Sequence, residues 1–258
     1  MRLLISAVQR GMCVLAAVLV VLSVPAHAQT TLRVYGPDGP GPAMKEAAAV
    51  FEKKTGVKVE VADGLRAQWM AKAKKDADLI FSGSEIMMSE FVYAMGGQIS
   101  LSNVTPLYLR PLSILVRPGN PKHIRGVQDI IKPGTKVMVV NGAGLRGAWE
   151  DMAGRKGDLG TLASFRQNIA FFAKDSVEAK EVWIRNRDID VWITWNIRQI
   201  PNERLADLVP LDSEHVIYRS CGITATQRAK GKPAAKAFID FLQSKDGAAI
   251  FAKWGWTK

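Results

Sequence analysis

Gly142-Ala143-Gly144-Leu145-Arg146-Gly147 carries three glycines at G-x-G-x-x-G spacing with an arginine inside the run. Glycines so placed let the chain turn tightly and bring backbone N–H groups close to an oxyanion, and in a dinucleotide fold they cradle a pyrophosphate at a helix start. That chemistry also needs an acid about 20 residues on for the ribose. The nearest acid after the next strand is Asp175, 28 residues past Gly147, so the dinucleotide pattern is incomplete. An anion pocket built from backbone N–H groups and a plain glycine-rich turn both remain open.

Two further loops have the same character. Ser82-x-x-Glu85 has capping-box spacing, and Ser84 is an alternative cap. Their hydroxyls can donate to an oxyanion or simply close the helix end. Gly36 to Pro42, with Gly39 and Pro40, is the third strand-to-helix loop, and such loops converge on one cleft in α/β sheets. A helix dipole contributes only ~0.3–1 kcal/mol, whereas micromolar binding needs about 8 kcal/mol, so hydrogen bonds and a charge must add to it. Arg66, Arg110, Arg146, Arg198 and Arg219 stand at predicted element ends or crossings, where a guanidinium can fork onto a carboxylate or phosphate. Each also reads as a solvated surface charge. Arg146 is favoured because it lies inside the glycine-rich loop, followed by Arg66 and Arg219. Thr194, Trp195 and Asn196 end a strand and offer an aromatic wall with polar handles, although core packing also accounts for Trp192 and Trp195.

Catalysis finds little support. Beyond the leader described below only His123 and His215 remain, no HExxH or G-x-S-x-G occurs, and Cys221 has no neighbouring base in sequence. Asp76-x-Asp78 and Asp188-x-Asp190 flank strand starts, opposite the expected cleft. No catalytic, metal-ligating or cofactor-binding residue is assigned.

The elements that must position these residues alternate. Leu32–Tyr35, Val57–Val61 and Ala77–Phe81 read as strands; Ala43–Lys54, Ala67–Lys75 and Ile86–Met95 read as helices. Leu107–Val116, interrupted by Arg110 and Pro111, is a long extended run. The pattern then restarts, with strands at Lys136–Val140, Ile169–Ala173 and Val191–Trp195 and helices at Gly147–Ala153 and Val177–Asn186. A second extended run, Ile217–Ala225, precedes two closing helices around Ala234–Leu242 and Gly247–Trp254. The expected architecture is α/β, with residues 29–110 plus 217–258 forming one lobe, 111–216 the other, and two crossovers between them. A single doubly wound sheet is the alternative.

Arg2 and Arg10, the apolar run Cys13–Val24 and the small-residue site Ala26-His27-Ala28 read as a cleaved signal peptide over residues 1–28. The apolar run has 12 residues, short of the ~20 that span a bilayer. No later segment is apolar enough to span one, so the exported protein is expected in the periplasm. Removing these 28 residues from 258, two of them arginine and none acidic, leaves 230 residues and lowers the net charge from +11 to +9. Cys221 is then the lone cysteine, so no intramolecular disulfide forms. The basic excess lacks a basic and aromatic nucleic-acid motif and suits an anionic partner or an anionic envelope surface instead.

Val34 to Pro40 (VYGPDGP), Ala71 to Phe81 (AKAKKDADLIF) with Ser84-Glu85, and Pro106 to Arg110 (PLYLR) resemble the accessory colonization factor C family. So do Gly147 to Gly154 (GAWEDMAG), Asp190 to Ile197 (DVWITWNI) and the closing Lys253-Trp254-Gly255-Trp256. That family is similar to the sulfate- and molybdate-type solute-binding proteins of ABC importers, and to a periplasmic antigen and adhesin with small carboxylate or phosphate ligands. The resemblance implies a type II periplasmic binding fold, a small anion between two lobes, an importer permease as partner and, in some members, a homodimer. It implies ligand contacts at Gly39, Pro40, Ser84, Gly144, Gly147 and Thr194 to Asn196. Arg66 and the pair Leu145-Arg146 depart from the family's small, polar loops and tilt the ligand toward an organic anion. An adhesin using its positive charge on a polyanion is the rival function.

Overall fold

The computed structural model describes residues 31–142 and 144–258. The expected signal peptide and Ala143 lie outside the described residues. The chain opens with β1 (Thr31–Pro37), whose alternation sends Leu32 and Val34 into one core and Tyr35 into another. After three turn residues α1 (Gly41–Thr55) begins, with a proline in its first turn; it ends at Gly56, whose φ of 73° favours glycine. The first loop is thus tighter than expected from Gly36 to Pro42, because the strand continues through Pro37. β2 (Lys58–Gly64) and β3 (Leu79–Phe81) lie parallel to β1 on either edge. Between and after them run α2 (Arg66–Asp76) and α3 (Glu85–Ala94).

Twelve residues form β4 (Thr105–Val116). Beyond it come α4 (Val127–Ile130), β5 (Val137–Val140), α5 (Ala148–Gly154), α6 (Leu159–Gln167), β6 (Ile169–Ala173), α7 (Ser176–Arg185) and β7 (Val191–Trp195). The chain then forms β8 (Asp207–Pro210), β9 (Tyr218–Ala225), α8 (Pro233–Gln243) and α9 (Lys245–Lys253). Helices α4 and α6 and strand β8 are additions to the sequence reading. α6 buries a single residue, Phe165, and so lacks a helical apolar stripe; β8 has four residues and pairs only with β4.

The strand order β2-β1-β3-β9-β4-β7-β5-β6 makes the two α/β units meet on β4. Thr105 to Pro111 pairs with β9, whereas Leu112 to Val116 pairs with β7 and, from Ser113, with β8. The return passage runs beside this switch, since Leu112 N–H donates to the Ile217 carbonyl at 2.8 Å. In the first unit Phe51 of α1 packs on Phe238 and Phe241 of α8, while Trp69 of α2 meets Phe91 of α3 over Tyr35 and Ile80. The acids at strand starts serve this frame: Asp78 is buried, accepts from Arg33 N–H at 3.0 Å and pairs with Lys232 at 2.6 Å; Asp190 accepts from Lys136 N–H at 2.9 Å.

The second unit is locked by Arg117, just past β4. Its guanidinium lies 3.6 Å from the Trp183 ring centroid and donates to the carbonyls of Trp183, Asn186 and Ile189 at 2.8, 2.6 and 2.8 Å, closing the C-terminal end of α7. Arg117→Ala is expected to lower the unfolding free energy by about 2–3 kcal/mol in urea titration. Arg117→Lys should restore less than half, because an ammonium can neither fork onto three carbonyls nor stack on the indole.

Candidate functional site

The loops that follow β1, β3, β5, β6 and β7 converge on a cleft of about 400 Å³ between the two units. Arg110 stands at its inner end, on β4 two residues before the first that pairs with β7, and is 2% exposed. Its guanidinium lies 4.5 Å from the Trp195 ring centroid and 5.3 Å from that of Trp256. One Nη donates to the Gly83 carbonyl, and the buried Nε has no partner among the described residues. Burial, aided by the nearby Arg198 charge, pushes the pKa down to about 9, so the group is still a cation at neutral pH.

Three glycines from three loops make room for it. A Cβ would stand 2.9 Å from an Arg110 nitrogen at Gly39, 2.9 Å at Gly83 and 3.2 Å at Gly144, so any side chain there crowds the guanidinium. Gly39 and Gly144 were expected at the ligand for their backbone; the structure adds that they admit a buried cation.

The remaining charges are arranged by tightness. Arg198, after β7, forks onto Asp38, after β1, at 2.7 and 3.0 Å, joining the two units. Burial works to raise the Asp38 carboxyl, but the Arg198 charge and hydrogen bonds, with Arg110 beyond, outweigh it and hold it below its ordinary 3.8. Glu90 of α3 sits 3.6 Å from Arg66 and 3.5 Å from Arg146, again one from each unit. Asp175 caps α7, accepting from the N–H groups of Val177 and Glu178 at 2.9 Å each, which accounts for it without a ribose.

Among the expected site residues, Gly39, Pro40, Arg66, Gly144, Arg146 and Trp195 line this cleft. The others lie off its lining. Ser84 is buried and caps α3, its Oγ accepting from Met87 N–H at 3.1 Å; Ser82 and Thr194 are buried with hydroxyls unpartnered among the described residues. Asn196 donates to the Gly255 carbonyl at 2.6 Å. Gly147 precedes α5 with φ 75°, and the loop before it uses the N–H groups of Leu145, Arg146 and Ala148 on the carbonyls of Gly142 and Leu145. Those three groups are therefore turn formers rather than anion donors. Arg219 lines a separate hollow and pairs with Asp151 at 3.4 Å.

The sequence favours Arg146, Arg66 and Arg219 over Arg110 and Arg198. Asp38, Glu90 and Trp256 carried no assignment at all. The available signal was Arg110 itself, the one charged residue in a 12-residue strand otherwise rich in apolar side chains.

Two α/β units joined through paired strands, with a cation-bearing cleft where their loops meet, define a clamshell solute-binding protein of type II. The model of the family described as bacterial extracellular solute-binding protein matches residues 32–257, and the chain belongs to that family. Peb3 from Campylobacter jejuni superposes with a TM-score of 0.81 at 36% identity, covering 88% of this chain and 99% of that one. PEB3 bound to L-phospholactate gives 0.82 at 35% identity, with the same coverage. The sulfate-binding protein SubI from Mycobacterium tuberculosis, with TM-score 0.71 and 20% identity over 88% of this chain and 86% of that one, shares the fold. A sulfate-binding protein of Synechococcus elongatus is 25% identical over 160 residues, 56% of this chain; the match spans 45% of that relative's length. No helix among the described residues is long and apolar enough to cross a membrane.

The Asp38–Arg198 fork generates a pH prediction. A carboxyl held below 3.8 binds a proton less readily folded than unfolded, so its contribution is complete above that pH and fades as pH falls through the folded value. The stability gap between the protein and Asp38→Asn should therefore be constant from pH 7 to about 5 and close on further acidification. Thermal unfolding across that range checks it; a gap that widens in acid contradicts the assignment.

Proposed function

We propose that the chain binds a small organic anion bearing carboxylate or phosphate groups in the cleft and delivers it to an ABC importer from the periplasm, after losing residues 1–28. The observation that carries this reading is Arg110: a buried cation with no bonded carboxylate, facing a cleft bounded by both units. Removing a guanidinium from water costs several kcal/mol, and a ligand anion offsets that cost most directly. A volume of about 400 Å³ falls within the usual range for small-molecule sites and exceeds the needs of a bare tetrahedral oxyanion. Trp69, Met87 and Phe91 offer an apolar wall for a carbon body. L-Phospholactate, the molecule bound in the PEB3 structure, combines these features.

In this reading residues 29–110 plus 217–258 and residues 111–216 are the lobes, closing about the two strand passages. Gly39, Pro40 and Gly144 let the ligand approach, Arg110 meets its inner charge, and Arg66 and Arg146 meet its outer one. Ser82, Ser84, Thr194 and Asn196 shape the loops from behind, while Gly147 sets the turn into α5.

Thermal unfolding of the 29–258 protein against sulfate, molybdate, phosphate, citrate, phosphoglycerate and L-phospholactate tests the reading. A ligand at 100 times its Kd adds about 2.7 kcal/mol, so an organic anion should raise Tm by several degrees. A response to none of the six defeats the proposal. Arg110→Met should abolish the response while leaving the ligand-free Tm unchanged or higher, because it removes a buried charge. Arg146→Ala should weaken binding about tenfold without unfolding the protein.

A further inference from the structure

The cleft contains two kinds of ion pair. Arg198 grips Asp38 with two hydrogen bonds of 2.7 and 3.0 Å. Glu90, in contrast, stands between Arg66 and Arg146 at 3.6 and 3.5 Å, beyond hydrogen-bond range for both, and neither guanidinium donates a hydrogen bond among the described residues. The three side chains also keep contact with water, at 27% exposure for Glu90, 55% for Arg66 and 67% for Arg146. One carboxylate thus holds two arginines from different lobes loosely, and can turn outward without being desolvated.

This arrangement gives Glu90 two effects of opposite sign. Its charge relieves repulsion between Arg66 and Arg146, and it repels any anion that approaches them. A carboxylate or phosphate from outside has the geometry to fork onto a guanidinium, which the loose Glu90 contacts do not achieve. Such a group gains hydrogen bonds by taking the place of Glu90.

We propose that Glu90 is a built-in competitor for the ligand, occupying between Arg66 and Arg146 the place that the outer anionic group of a bound molecule takes. The proposal rests on the cleft reading above and deepens it. A ligand with two anionic groups engages Arg110 with one and displaces Glu90 with the other. A ligand with a single group reaches Arg110 and leaves Glu90 where it is. Glu90 thereby imposes a threshold: only an outer group that binds the arginines better than a loose carboxylate gains by reaching them.

Titration calorimetry with L-phospholactate as the two-group probe and sulfate as the single-group probe, on the 29–258 protein, Glu90→Gln and Glu90→Asp, tests this. Glu90→Gln keeps size and polarity but removes the charge. It should bind L-phospholactate about three- to tenfold tighter at low ionic strength, with the gain shrinking in 0.5 M salt. Sulfate affinity should change by less than about twofold, and Glu90→Asp, which retains the charge, should stay within about twofold of the parent for both probes. If Glu90→Gln fails to fold, Glu90→Ser carries the same expectation. Equal or weaker L-phospholactate binding by the charge-free variant, when the parent binds it, overturns the competitor role and leaves the cleft reading standing. A parent that does not bind L-phospholactate overturns the competitor role as stated, and the cleft reading then stands or falls on the panel of six anions.

Discussion

Arg110 is a cation in a place that water hardly reaches, and much of the cleft is arranged around keeping it there. Its compensation comes from one carbonyl, two indole faces and the more distant fields of Asp38 and Glu85. An indole face attracts a cation but leaves its N–H groups free to donate. A bonded carboxylate would neutralise the charge and take those donors. The arrangement therefore holds the guanidinium in position while preserving its capacity to bind an anion, and the glycines at 39, 83 and 144 are the steric counterpart, leaving the space beside it unfilled by side chains.

The position of this charge is inseparable from the way the two α/β units are joined. Arg110 is on the strand that both units share, two residues before the first that pairs with β7. Trp195 reaches it from the end of β7, opposite Leu112. Trp256 arrives from the far end of the chain, because Thr257 forms a two-way bridge with Leu109, at 2.6 and 2.8 Å. Asn196 fastens the same tail through Gly255, whose φ of 82° and crowded position beside Ile200 and Asn196 suit only glycine. The closing Trp-Gly-Trp segment is thus a strap that sets one wall of the cation site. Any change in angle between the units alters the surroundings of Arg110.

Much of this frame was legible in the sequence because burial leaves a periodic trace. β6 and β7 match their expected bounds, α1 to α3 start and stop within two residues of theirs, and the two extended runs correspond to β4 and β9. The trace fails where burial is slight, as in α6 and β8. Site residues were harder for a different reason: a polar residue at a loop has several competing uses, and only geometry decides among them. Ser84 caps its own helix and is buried off the cleft lining. Asn196 is turned to the tail, and Asp175 to two N–H groups of α7. Arg110 was visible as a charge in an apolar strand, yet favouring an arginine for its glycine-rich neighbours placed Arg146 first. The glycines around Arg110 come from three separate loops, a coincidence in space that spacing along the chain does not record.

The distribution of charge bears on the rival reading of an adhesin for polyanions. Such binding draws on many cations presented together on one face, with counterions released as each is neutralised. Here the surface lysines are interleaved with acids: Lys45 meets Asp63, Lys132 meets Asp129, Lys156 meets Glu214, Lys236 meets Asp240 and Lys253 meets Glu46, all within 3 Å. Exposed pairs of this kind contribute little to stability, and each neutralises one cation without removing the excess. Arg110 differs from them in being buried with no bonded carboxylate. Positive charge held inside a cleft acts on a molecule small enough to enter, and Arg110, 2% exposed, is out of reach of a polyanion lying on the surface.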